Sequence, residues 1–129
     1  MDDTRTEKKT RWLKYYLITF GLLNILVISF TVPLFLGDLL LWQPRNLPDE
    51  MMLSSIYLAM GLVMVVAARN PMAHKSFIDF LITANLVHAF VMLLFAQNLW
   101  HILDVLTIGC LGGMPIFFYP WGLRQFLRY

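Results

Sequence analysis

Four stretches free of Asp, Glu, Lys and Arg dominate the chain: 23 residues between Lys14 and Asp38, 18 between Glu50 and Arg69, 24 between Asp79 and Asp104, and 19 between Asp104 and Arg124. A helix needs about 20 apolar residues to cross the roughly 30 Å hydrocarbon layer, so each stretch is long enough to span once and too short to span twice. The pattern predicts an all-α integral membrane protein, a bundle of four transmembrane helices over about 12–35, 51–68, 77–96 and 102–122. The breaks between spans have local causes. Pro44 and Pro48 interrupt helical hydrogen bonding after the first span, and the residue before Pro71 in Asn70-Pro71 is pushed out of the helical region. The Asn46–Asp49 segment suits the start of the second helix, with Asp49 or Glu50 near its positive dipole end. Gln97-Asn98 is the expected turn between the third and fourth spans.

Composition agrees with that reading: 59% of the 129 residues are hydrophobic and 14% charged. The segments left outside the spans are too short to bury a core of their own, which excludes a soluble catalytic domain or a nucleic-acid-binding module. With no internal repeat or linker, residues 1–129 form one expected domain.

The charges orient it. Nine of the ten Lys and Arg fall before the first span, in the loop holding Arg69 and Lys75, or after the fourth span, and Arg45 is the one on the other side. This positive-inside bias predicts that both termini face the cytoplasm. Trp12, Tyr15, Tyr16, Tyr119, Trp121 and Tyr129 collect at the same interface, while Trp42 and Trp100 mark the opposite one. The expected location is a bacterial inner membrane, with the lipid bilayer and either other membrane subunits or a second copy as partners.

Polar side chains at bilayer depth cost free energy and therefore mark candidate sites. His88 lies midway along the third span, with Asn85 one turn before it and Met92 one turn after it on one face, and Asn24 sits at similar depth in the first span. One reading makes His88 and Asn85 a cofactor site, through metal or pigment ligation or proton relay. The other has them hydrogen-bonding to Asn24 or a backbone carbonyl to hold helices together. A second group lies at the outer rim, where Glu50 opens the second span and His101 and Asp104, spaced i, i+3, open the fourth. These three are acceptable ligands for a divalent ion, or else ordinary residues of helix N-termini. His88, about 12 Å inward at 1.5 Å per residue, is expected to lie too deep to join them.

At the cytoplasmic face Arg69, His74 and Lys75, with Asp79, set topology or meet anionic lipid headgroups. Gly109 and Gly113 make a small-xxx-small pattern that admits a close helix partner, in this chain or another, before Pro115 and Pro120 bend or end the span. Cys110 is alone, which excludes a redox-active cysteine pair, and the first span lacks the glutamate around which small multidrug exporters are built. One deep histidine supplies only one axial haem ligand. Ala84, four residues before His88, is similar to the spacing with which light-harvesting polypeptides admit a chlorin ring.

The stretch Glu50-Met-Met-Leu-Ser-Ser-Ile-Tyr57, then Ala68-Arg-Asn-Pro-Met-Ala-His74, His88-Ala with Met92, and His101 ahead of Asp104 resemble a group of short four-span bacterial membrane proteins known only as a domain of unknown function. Where the family often carries glycines before the acidic residue, Ile102-Leu103 stand here. The resemblance implies a helical inner-membrane protein and brings no catalytic role. By subtraction, the first expectation is a non-enzymatic accessory or scaffold subunit of a larger respiratory or photosynthetic complex. The alternative is a membrane-embedded protein that holds a metal, pigment or quinone at His88 or at the Glu50, His101, Asp104 rim, and a small transporter comes third. Which cofactor it holds, if any, stays unknown at this point.

Overall fold

The computed structural model describes residues 3–36 and 46–118, and among these every regular element is helical. The first long helix runs as α1 (Asp3–Leu23) and continues as a π-helical segment (Asn24–Leu36). It is followed by α2 (Leu47–Ala67), a 3₁₀ turn (Pro71–His74), α3 (Lys75–Phe95), α4 (Leu99–Gly113) and the single turn α5 (Pro115–Phe118). Three segments, Thr6–Leu36, Leu47–Ala67 and Pro71–Phe95, are long and apolar enough to cross a membrane. Their outward positions are large and apolar, as at Leu26, Phe30, Leu34, Phe80, Phe90 and Leu94. A patch of that extent fits lipid as the surrounding solvent.

The fourth expected span, about 102–122, is described only as far as Phe118. α4 has 15 residues, about 22 Å at 1.5 Å per residue, and the helical path continues from it into α5. Met114 between them keeps right-handed helical dihedrals and donates its N–H to Cys110 O at 3.0 Å, whereas Pro115 cannot donate to the carbonyl four residues back. Residues 119–122, together with Tyr119, Pro120, Trp121, Arg124, Arg128 and Tyr129, lie outside the described residues, as do Trp42, Pro44 and Arg45. The other boundaries fall close to expectation. Asn46 caps α2, with its Nδ2 donating to Asp49 Oδ2 at 2.6 Å and both Asp49 and Glu50 in the first turn. Ala96–Asn98 makes the α3–α4 turn.

The carbonyl that Pro115 leaves without its helical donor is that of Leu111. Tyr16 of α1 fills the vacancy, its hydroxyl donating to Leu111 O at 2.8 Å. A phenol from a distant helix thus satisfies a backbone group that lipid cannot.

Packing is uneven along the bundle. At the Arg69–His74 end, Leu13, Leu17, Met64, Ala67, Ile78 and Leu81 are completely buried and form a solid core between α1, α2 and α3. Toward the other end the helices part around a cavity. Two glycine contacts mark the transition. Gly21 of α1 and Gly61 of α2 meet backbone to backbone: a Cβ on Gly61 would stand 2.7 Å from Gly21 O, and one on Gly21 3.0 Å from Gly61 O. In α4, Gly112 presses on the Asn85 side chain of α3, with Gly109 and Gly113 against Ala89 and Leu86 on either side. The close partner of the Gly109–Gly113 face is therefore α3 of the same chain.

Candidate functional site: an interhelical cavity

A cavity of about 680 Å³ lies between the π segment, α2, α3 and α4, within the size range of small-molecule sites. The local sequence explains why the first helix opens here. Pro33 has no N–H and its ring collides with the carbonyl four residues back in an α-helix, and the wider π register relieves that contact. Ser29 Oγ donates to Asn24 O at 2.7 Å and Thr31 Oγ1 to Leu26 O at 2.9 Å, both five residues back, so hydroxyls reinforce the register. The segment then lends Val27, Ile28 and Val32 to the cavity wall.

The wall is mostly apolar, with Phe20, Leu23, Val91, Phe95, Ile108 and Leu111 among its residues. Its polar members fall at two levels. Asp49, Glu50 and Asp104 lie at the Asn46–Asn98 end, and no Lys or Arg joins them among the described lining residues. Deeper, by about 10 Å along α2 from Glu50 to Tyr57, stand Tyr57, Asn85 and His88. The Tyr57 hydroxyl and His88 Nε2 are 3.3 Å apart, and the two rings meet edge to face at a centroid distance of 6.3 Å. His88 is half-buried.

Both His88 and Asn85 thus face one cavity, as their helical spacing implies. Asn85 bonds to a backbone carbonyl, one of the two partners expected for it, but within its own helix. Asn24 and Asn85 do not reach across helices to His88. Each donates its Nδ2 to a carbonyl four residues back in its own helix, Asn24 to Phe20 O at 2.7 Å and Asn85 to Leu81 O at 2.8 Å. Asn24 sits wholly buried beside Gly61, and its Oδ1 meets no donor among the described residues. The side chain that does reach His88 is Tyr57. A buried tyrosine needs a partner for its hydroxyl, and a tyrosine on one apolar run with a histidine on the next was the available signal.

The rim group divides. Glu50 and Asp104 line the cavity, so the deep His88 and the shallow carboxylates border a single space rather than separate sites. His101 does not line it. Its backbone N–H donates to Asn98 Oδ1 at 2.9 Å, and its ring Nδ1 accepts from the Gln97 N–H at 3.3 Å, so the imidazole closes the start of α4. His101 and Asp104, placed on one face by their spacing, interact electrostatically, and the same imidazole also serves the cap. Among the described residues no group of three or more His, Cys, Asp or Glu is placed to hold a metal ion, and the Glu50, His101, Asp104 metal triad is not formed. Arg69, His74 and Lys75 flank the 3₁₀ turn at the opposite end of the bundle, far along the helices from this cavity.

Fold and site together define a class: a helical protein with membrane-spanning hydrophobicity and a part-open, mostly apolar cavity with a phenol–imidazole pair in its wall. Residues 9–113 match the model of a family of unknown function, DUF6632, and the chain belongs to that family. Comparison with curated proteins and with solved structures finds no match.

Proposed function

We propose that this chain is a membrane-resident binding protein that holds an apolar organic molecule in the cavity, with the Tyr57–His88 pair as its polar contact. The observation that carries the reading is the placement of that pair: two hydrogen-bonding side chains from different helices meet in a wall that is mostly apolar. Holding such a pair at bilayer depth has a cost, and a ligand that uses it offsets that cost. The accessory-subunit reading is subtractive, with the Gly109–Gly113 face open to a partner in this chain or another. With α3 packed against that face, the reading has less to stand on.

Organic extraction of protein purified in mild detergent, followed by mass spectrometry, tests the binding reading. The wild type is expected to release a stoichiometric apolar molecule. Ile108→Trp, which fills the cavity from α4, is expected to retain less than a tenth of it. Equal recovery from the two, or an empty extract from both together with a stoichiometric protein partner, would return the argument to an accessory subunit.

The same proposal places the chain in a bacterial inner membrane with both termini in the cytoplasm, on the nine-to-one division of Lys and Arg. Arg69 and Lys75 would then meet the anionic inner leaflet. Reporter fusions at Met1 and Tyr129 are expected to read the cytoplasm at both ends; opposite compartments would refute the topology.

A further inference from the structure

We infer that the cavity takes a neutral, carbonyl-bearing ring of the quinone type, with the ring seated at Tyr57 and His88 and an aliphatic tail along the apolar wall. The inference rests on the binding reading above and specifies its ligand.

Hydrogen-bond accounting leads to the head group. A neutral histidine carries one N–H and a tyrosine one O–H. Their mutual bond consumes one of these two hydrogens in either imidazole tautomer: Tyr57 donates to Nε2, or Nε2–H donates to the phenol oxygen. One donor is left over in both cases. Among the described residues neither side chain makes a second side-chain hydrogen bond, so the spare donor belongs to the cavity wall. The matching ligand must bring an acceptor. At 3.3 Å the existing bond is long, which leaves room for a carbonyl oxygen to compete for it. Asn85, also in the wall, commits one of its two amide hydrogens to Leu81 O, and its side-chain carbonyl is an acceptor for any hydroxyl on the same ring.

Shape and charge narrow the class further. The Tyr57 ring beside His88 and the Phe20 ring in the same wall suit a flat aromatic body. The aliphatic Leu23, Val27, Ile28 and Val91 suit a hydrocarbon tail, and the volume of about 680 Å³ holds both parts. Asp49 and Asp104 in the lining disfavour a carboxylate or phosphate head at that end of the cavity. An anionic amphiphile such as a fatty acid is thereby disfavoured, and an uncharged one is accepted.

The test measures binding of three probes to the full chain in lipid nanodiscs: decyl-benzoquinone, decylbenzene, which lacks the carbonyls, and decanoate, which replaces the ring with an anion. The wild type is expected to bind the quinone about tenfold more tightly than decylbenzene, the contribution of one neutral hydrogen bond, and to bind decanoate more weakly than either. Tyr57→Phe combined with His88→Leu is expected to erase the quinone's advantage while leaving decylbenzene affinity unchanged, which also shows that the variant folds. If quinone and decylbenzene bind the wild type equally and Ile108→Trp blocks both, the head-group inference is overturned and the binding reading stands. Decanoate binding as tight as the quinone's overturns the inference in the same way. If no probe binds, both are overturned.

Discussion

Gly112→Ala is expected to destabilise the bundle by about 1–3 kcal/mol in chemical denaturation from mixed micelles, although alanine is the better helix former by about 1 kcal/mol. The reason is what the added methyl would meet. A Cβ on Gly112 would overlap Cβ and Cγ of Asn85, a side chain fixed to α3 by its own bond to Leu81 O. Either α4 moves away from α3 or Asn85 gives up that bond. Gly61→Ala is expected to behave alike, since its methyl would sit 2.7 Å from Gly21 O and 2.9 Å from Ile25 Cγ1, and backbone yields less readily than a flexible side chain. Gly109→Ala is the control: its methyl would stand 3.4 Å from Ala89 Cβ, an ordinary contact, so its stability should match wild type or exceed it slightly. A Gly109→Ala loss as large as that of Gly112→Ala would mean that α3 and α4 are packed differently. Because lipid tails are as apolar as the side chains, close packing of this kind carries much of the helix association.

Tyr16→Phe is the second large expected loss, about 1–3 kcal/mol, from removal of a single oxygen. Phenylalanine fills the same space, so the effect isolates the hydrogen bond to Leu111 O. Pro115 leaves that carbonyl without its helical donor, and where water is absent an orphaned carbonyl is costly. The argument makes a sharper demand in a double-variant cycle. In a Pro115→Ala background the alanine N–H can bond to Leu111 O, and Tyr16→Phe should then cost less than about 0.5 kcal/mol. Equal losses in both backgrounds would show that Tyr16 acts through packing alone, for example through its ring contact with Phe20 at 5.3 Å.

Particular residues show how far the site could be read beforehand. His88 and Asn85 share a cavity because three residues make nearly one helical turn, a relation that needs no tertiary information. The same rule brings His101 and Asp104 within electrostatic reach of each other. It does not say which ring atoms are already engaged, and His101 Nδ1 accepts from the Gln97 N–H. Tyr57 escaped because its meaning lies in a partner 31 positions later. Gly21 and Gly61 escaped for a like reason: neither belongs to a small-xxx-small pair, and the only local clue was a poor helix former placed deep in an apolar run.

Taken alone, the order of residues was enough to determine that this is a helical chain suited to lipid, where its helices break, and which polar groups lie at depth. Those properties follow from the length of uncharged runs and from proline, whose effects act within a few positions. The tertiary structure decided that the α4 glycines are taken up by α3, that Tyr16 completes the carbonyl opposite Pro115, and that one end of the bundle is solid while the other is hollow. Each of these depends on which surfaces of distant helices come into register, and a few tenths of an ångström between facing backbones separate a packed contact from a cavity.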